Sequence, residues 1–275
     1  RRAGREIRET NIGAWRRAMC GDLTSVFRPF DPGAPGLSPL RRDEFFGEIG
    51  RAQFRPAPAA SQSTARQEPG TRLSCALPYN LAADGALSAD GKAFELTLEA
   101  RGAAGAPFHV YTPGNYRGGA ALRTRAYAVA AGERLTDSWD LEGFDNRAWH
   151  IRVCGPNGFL REFQGSADDP RISTRVEQRP DGSIEIAVVN SDERPLTVRV
   201  SDESYGASPR TIALAPGARD SIQLDLGRSH NWYDFTIAID GSAAFHRRCA
   251  GRVETGKDGV SDPAIGRGPF SGSAG

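Results

Sequence analysis

The chain has 275 residues, of which 39% are hydrophobic and 25% charged, and its net charge is +1. This length suits two domains with modest cores, and the near-zero charge argues against a general nucleic-acid-binding protein. No apolar run approaches the roughly 18 residues that cross a bilayer, and the segment after Arg1 has the pattern of neither a signal peptide nor an anchor. Because the first residue is not Met, we expect a piece of a longer protein.

Residues 1–27 mix apolar and basic side chains in a stretch too short to form a core of its own. Trp15, Arg16 and Arg17 lie within it. The segment fits the end of another domain, and it also fits a short amphipathic helix capped by Asn11. In both cases the segment needs a partner surface. We therefore predict that residues 1–27 form a short helical tail at the end of an upstream domain that this chain lacks.

Residues 28–72 are predicted to be a proline-rich linker, because prolines interrupt every periodic pattern. One short helix from Arg41 to Arg51 is expected, since Phe45, Phe46 and Ile49 share a face at helical spacing. The prolines are Pro29, Pro32, Pro35, Pro39, Pro56, Pro58 and Pro69.

From Leu73 onward, apolar and polar residues alternate with a period of two, which is typical of half-buried strands in antiparallel sheets. Turn pairs such as Asp90-Gly91 and Asp181-Gly182 separate these runs. The apolar positions of the two clearest runs are Phe94, Leu96 and Leu98, and Ile184, Ile186 and Val188.

The strand region repeats itself. Gly132 and Gly217 are 85 residues apart, as are Asp140 and Asp225, and Gly165 and Gly251 are 86 apart. Self-similarity at one offset indicates two copies of a folding unit. We predict an all-β chain with two tandem immunoglobulin-like antiparallel β-sandwiches, at 73–166 and 167–255, and a tail at 256–275. Trp139 and Leu224 should occupy equivalent positions.

No residues suggest catalysis or a bound metal or cofactor. The four histidines lack metal-ligand spacing, and Asp168 and Asp169 are adjacent, which favours a solvated turn between the repeats. The cysteines are widely spaced, although a bridge between Cys20 and Cys75 stays open, and Cys249 is expected to be a small buried hydrophobe.

Trp139, Trp149 and Trp232 lie at or beside predicted strands, where a core or strand-edge position is the default. If exposed at loop tips, they would suit a sugar, a choline headgroup or a membrane interface. Together with Trp15, Arg16 and Arg17, they are the candidate contacts to lipid or to a neighbouring domain.

Several motifs together resemble the C-terminal third of bacterial phosphocholine-preferring phospholipases C of the hemolytic and non-hemolytic type, over nearly the whole chain. The motifs are Trp15-Arg-Arg-Ala, Cys20-Gly-Asp-Leu-Thr-Ser25, Glu68-Pro-Gly-Thr-Arg72, Ala76-Leu-Pro-Tyr79, Gly155-Pro-Asn-Gly-Phe-Leu-Arg-Glu-Phe163 and Ser261-Asp-Pro-Ala264.

The resemblance implies an upstream catalytic domain of the alkaline-phosphatase-like kind, with the nucleophile and any metal ligands outside this chain. It implies that the whole protein hydrolyses phosphatidylcholine or sphingomyelin to phosphocholine and diacylglycerol or ceramide. It also implies export by the twin-arginine route to the periplasm or beyond the cell, and a membrane surface as a further partner. Two alternatives remain open: a stand-alone carbohydrate-binding module, and a parent acid phosphatase of the same superfamily.

Overall fold

The structure, a computed structural model, describes residues 46–47, 50–51, 70–114, 116–118 and 123–265. In these ranges the chain consists mainly of antiparallel β-strands, which confirms the predicted all-β class. The four described residues between 46 and 51 are helical, inside the predicted short helix. The predicted helical tail 1–27 and most of the linker lie outside the described residues. No described helix is long and apolar enough to cross a bilayer.

The first repeat is built from two sheets that share one core. The strands are β1 (Leu73–Ser74), β2 (Leu81–Leu87), β3 (Ala93–Ala100), β4 (Ala106–Tyr111), β5 (Thr124–Val129), β6 (Arg134–Asp140), β7 (Ala148–Cys154) and β8 (Leu160–Ser166). One sheet has the order β2-β3-β6, and in the second sheet the order is β5-β4-β7-β8.

The second repeat uses the same strand order. Its strands are β9 (Ile172–Gln178), β10 (Ile184–Asn190), β11 (Leu196–Asp202), β12 (Arg210–Leu214), β13 (Arg219–Leu224), β14 (Trp232–Ile239) and β15 (Ser242–Arg252). One sheet has the order β9-β10-β13 and the other contains β12-β11-β14-β15, so each strand is equivalent to the strand seven earlier in the chain. Seven strands in two antiparallel sheets are consistent with an immunoglobulin-like sandwich. A last strand, β16 (Gly259–Val260), pairs with β1 outside these sheets.

The predicted alternation decides which side chains fill the two cores. In β3 the side chains of Phe94, Leu96 and Leu98 are fully buried, and polar residues lie between them. Ile184 and Ile186 in β10 are equally buried. At roughly 1.5–3 kcal/mol for each fully buried large apolar side chain, these positions hold the facing sheets together.

Register confirms the predicted equivalence of the repeats. Trp139 pairs with Phe94, and Leu224 pairs with Ile184, so the tryptophan and the leucine occupy the same place in their sheets. Such a match requires the same turn geometry before each strand. Gly132 has φ +78° and its counterpart 85 residues later has φ +74°, a backbone region that favours glycine.

The repeats are joined edge to edge. β8 pairs antiparallel with β15, which makes one eight-stranded sheet that runs through both repeats. Glu162 lies opposite Arg248, and Arg248 is also the residue that occupies the position of Glu162 in the second repeat, 86 residues later. An approximate two-fold axis therefore passes between these two residues, and both strands lose an exposed edge that could pair with another chain.

Two buried arginines bind across this strand pair. Arg161 is 2% exposed and Arg247, its counterpart, is 6% exposed. Nη1 of Arg161 donates to the carbonyl oxygens of Leu160 (2.8 Å) and Ala250 (3.1 Å), and Nη1 of Arg247 donates across the pair to that of Gln164 at 2.5 Å. Burial lowers the pKa of Arg247 to about 10, so the guanidinium stays charged at neutral pH.

Candidate functional site: a cleft in the second repeat

The structure places the predicted tryptophans in different surroundings. Trp139 is fully buried and Trp149 is 3% exposed, both in the core of the first repeat, as the default interpretation had them. Trp232 is half-buried, and its Nε1 donates to the carbonyl oxygen of Val260 at 2.9 Å. Trp15, Arg16 and Arg17 lie outside the described residues, so their role in lipid or domain contact stays a prediction.

The segment after β15 ties the second repeat to the start of the first. The amide of Ser261 donates to the carbonyl oxygen of Arg72 at 2.8 Å, next to the β1–β16 pair. One residue later, the carboxylate of Asp262 accepts the hydroxyl of Tyr205 at 2.9 Å. The two ends of the described strand region therefore lie together.

Asp169, one of the two adjacent aspartates, stabilises the turn between the repeats. The Asp169 carboxylate accepts the amide of Ser166 at 2.8 Å and the hydroxyl of Ser242 at 3.1 Å. Across the described ranges, no group of three or more histidine, cysteine, aspartate or glutamate side chains is placed to hold a metal ion. Cys249 is buried, as expected, and neither it nor Cys75 forms a disulfide with another cysteine in the described part of the chain. The candidate bridge partner Cys20 falls outside the described part of the chain.

A charged network lies on the outer face at the junction of the repeats. The carboxylate of Glu162 bonds with Nε2 of His150, and it accepts Nη2 of Arg152 at 2.7 Å. Burial acts to raise the pKa of Glu162, but these two hydrogen bonds outweigh it and hold the pKa below its ordinary value. The glutamate therefore stays ionised at the approximate two-fold axis.

The second repeat carries a matching ion pair in the same network. Asp234 accepts Nε and Nη2 of Arg248 at 2.9 and 2.8 Å, and the hydroxyl of Ser204 at 2.6 Å. Burial again acts to raise the pKa of Asp234, and the bonds from Arg248 and Ser204 lower it further than burial raises it. Nearby, burial lowers the pKa of His246, which favours its neutral form. Glu162, Asp234 and their arginines are all paired, whereas Nδ1 of His246 is buried without a hydrogen-bond partner among the described residues. The paired charges make the network a structural junction.

An open cleft lies at one end of the second repeat. It has a volume of about 360 Å³ and continues into a neighbouring hollow of about 340 Å³ that shares Arg210, Gln223, Asp225 and Leu226. Its floor is apolar and its rim is charged. The floor residues are Val200, Leu224, Leu226, Tyr233 and Phe235.

In the first repeat the corresponding space is filled by the chain itself. Tyr116 is 2% exposed, and its ring lies 4.9 Å from that of Trp139 and 4.8 Å from that of Phe144, measured between centroids. It also covers Gly143, where an added Cβ would come within 2.6 Å of the tyrosine ring. Stacked aromatic rings therefore close this end of the first sandwich.

Smaller residues open the second repeat at the same points. Leu224 occupies the position of Trp139. Ser229 occupies the position of Phe144, because the backbone amide of each donates to the carbonyl oxygen of a leucine three residues earlier. Arg228 then falls where the first repeat has its glycine. The loop after β11 is also shorter than the loop after β4. The paired residues Val200 and Arg210 that flank it are ten positions apart, whereas Val110 and Arg125 in the first repeat are fifteen positions apart.

The charges around this space differ as well. In the first repeat, Arg125 donates to Asp137 at 2.8 Å and lies 3.8 Å over the ring of Trp139, while Arg117 pairs with Asp140. The second-repeat counterparts of Asp137 and Trp139 are an isoleucine and a leucine. The guanidinium equivalent to Arg125 therefore has neither the carboxylate partner nor the indole ring beneath it.

Arg210 is that guanidinium, and Asp225 is the counterpart of Asp140. Neither forms an ion pair with any described residue; Asp225 accepts only the amide of Gly227, at 2.9 Å. Two exposed charges of opposite sign therefore border an apolar cleft without mutual neutralisation. None of the residues of this cleft was predicted from the sequence, although the 85-residue offset aligns Trp139 with the smaller Leu224.

Comparison with known proteins gives the family. The model of the bacterial phospholipase C C-terminal domain matches residues 73–166 and again residues 170–252. The non-hemolytic phospholipase C of Pseudomonas aeruginosa is 34% identical and covers 96% of this chain; that of Burkholderia pseudomallei is 35% identical and covers 94%. The hemolytic phospholipase C of Pseudomonas aeruginosa is 32% identical over 94% of the chain.

The chain spans only 37% to 40% of the length of these relatives. A crystal structure of red sea bream transglutaminase covers 74% of this chain at 13% identity, with a TM-score of 0.20, which is too low to inform the fold. The family match covers most of the chain and falls once on each repeat. The chain therefore belongs to the bacterial phospholipase C C-terminal domain family, of which it carries two copies.

Proposed function

We propose that this chain is the accessory C-terminal part of a secreted or periplasmic phospholipase C. The whole enzyme would hydrolyse phosphatidylcholine or sphingomyelin to phosphocholine and diacylglycerol or ceramide. An upstream alkaline-phosphatase-like domain of the same protein would supply the nucleophile and any metal ions, after export by the twin-arginine route. The chain itself would support that domain and face the lipid surface.

One observation carries the proposal: two copies of a phospholipase C C-terminal domain make up residues 73–166 and 170–252, while the relatives are more than twice as long as this chain. The joined sheet adds physical support. A continuous eight-stranded sheet with buried arginines across its middle resists hinge motion between the repeats. Such a unit suits a rigid platform better than two independently moving binding modules.

The test compares the purified chain with the longer protein that includes the sequence upstream of Arg1. Phosphocholine release from phosphatidylcholine vesicles is measured with and without divalent metal ions. We expect turnover by the longer protein and none by the chain alone, because hydrolysis of a phosphodiester needs an activated nucleophile. Turnover by the chain alone, abolished when one of its own histidines or aspartates is changed, would contradict the accessory role.

A further inference from the structure

The first repeat shows what the cleft of the second repeat lacks. There, a ring and a cation from adjacent residues, Tyr116 and Arg117, occupy the space: the ring packs on Trp139 and the cation pairs with Asp140. In the second repeat the apolar floor and the carboxylate, Asp225, are both present. Among the described residues no cation pairs with Asp225, and the one ring that the loop after β11 brings to the cleft, that of Tyr205, donates its hydroxyl to Asp262.

The cleft also offers an anion site that the first repeat does not. Arg125 is neutralised by Asp137, whereas Arg210 has no carboxylate partner among the described residues. Arg228 lines the same cleft and likewise forms no ion pair with a described residue. A ligand that satisfies both sides must carry an anion for the arginines and a cation for Asp225.

Other acidic groups at the rim are already engaged. The carboxylate of Asp202 accepts the amides of Ser204, Tyr205 and Ala207, at 3.0, 3.0 and 2.7 Å, so it shapes the loop. Asp234 is held by Arg248. These bonds leave Asp225 as the carboxylate with free acceptor capacity beside the aromatic rings of the cleft, where a compact organic cation is favoured.

We propose that this cleft binds a small zwitterion, with its compact apolar cation against Asp225 and the aromatic floor and its oxyanion against Arg210 and Arg228. The volume of about 360 Å³ suits a ligand of this size. The ligand takes the place that Tyr116 and Arg117 fill in the first repeat. This site stands on the geometry of the second repeat and does not depend on the enzymatic role proposed above.

Binding is tested by NMR titration and calorimetry of the 275-residue chain. The probes are phosphocholine, choline and inorganic phosphate, and phosphatidylcholine vesicles form a separate arm that distinguishes a lipid headgroup from a free zwitterion. We expect phosphocholine to bind about ten-fold more tightly than choline or phosphate alone, because it satisfies both charges. The shifted amides should belong to residues 202–210 and 223–229.

Two exposed variants assign the contacts without touching a core. Asp225→Asn should weaken phosphocholine and choline binding about ten-fold and leave phosphate unchanged, and Arg210→Gln should weaken phosphocholine and phosphate but spare choline. Asp140→Asn, the same change in the first repeat, is the matched control and should alter nothing. If the chain binds phosphatidylcholine vesicles and these variants lose that binding, the ligand is a lipid headgroup. If the chain binds phosphocholine but not vesicles, the ligand is a free zwitterion.

Absence of saturable phosphocholine binding in both arms would overturn the proposal. So would equal binding of a neutral sugar such as glucose, or shifts centred on the first repeat. Because these measurements use no turnover, their failure leaves the accessory role untouched, and activity of the chain alone would leave the binding site untouched.

Discussion

The two repeats share strand order and register, but the packing at one end of the sandwich differs between them. The first closes one end of its sandwich with Tyr116, Trp139 and Phe144, whereas the second leaves a charged cleft over Leu224 and Ser229. A duplicated fold thus keeps one copy as a filled structural unit and frees the other for a ligand. The difference lies in a few side chains and a shorter loop, not in the backbone plan.

The largest effects are expected when Trp139 and Leu224 are each replaced by the residue of the other repeat. Trp139→Leu should destabilise the chain by about 3 kcal/mol, since it leaves a cavity under Tyr116 and removes the ring beneath Arg125. Leu224→Trp should change the free energy of unfolding by less than about 1 kcal/mol, because open space already exists there. Chemical denaturation measures both, and equal costs would mean that the two ends are packed alike.

The junction between the repeats is the next test. Arg161→Ala should cost about 2–4 kcal/mol, because it removes the bonds to Leu160 and Ala250 and the packing of the guanidinium 4.4 Å over the ring of Phe159. Hydrogen exchange should then accelerate at the β8 and β15 amides more than in β3. Arg175→Ala, at an exposed arginine of β9, is the control, with little change expected.

Acid should loosen this junction before it affects the cores. The pKa values of Glu162 and Asp234 are lowered in the folded state, so their contribution is complete above their ordinary values of 4.5 and 3.8. It is lost as pH falls through the lowered folded values. Denaturation from pH 7 to pH 3 should show a loss that Glu162→Gln reduces, and an unchanged slope in that variant would remove the glutamate from the account.

The smallest effect is expected from the exposed charges. Asp140→Asn removes an exposed ion pair with Arg117 and should cost at most about 0.5 kcal/mol. Asp225→Asn should cost a similarly small amount, because only the bond from Gly227 is affected. A thermal melt of each variant checks this, and a large loss in either would show that the charge stabilises the fold.

Much of the fold was predictable because alternation and a fixed offset are local signals. The period-two runs at Phe94 and Ile184, and the equivalence of Trp139 with Leu224, were confirmed. The edge-to-edge junction was not predicted. Arginine side chains are usually exposed, and only the pairing of β8 with β15 places Arg161 and Arg247 in the interior.

The cleft was missed for a different reason. The cleft contains no residue pattern typical of catalysis or metal binding, because it results from smaller side chains in the second repeat at positions that are filled in the first. Leu224, Ser229 and the partnerless Arg210 have meaning only beside Trp139 and the ion-paired Arg125. Aligning the two repeats position by position shows the smaller side-chain volume in the second repeat, but it does not show where the loop that carries Tyr116 packs.

A crystal structure of the chain soaked with phosphocholine tests the central contrast between the repeats most directly. The account predicts ligand density in the second repeat, with the phosphate at Arg210 and the trimethylammonium group at Asp225, and none beside Trp139. A second repeat closed by its own side chains, or ligand in the first repeat instead, would contradict it.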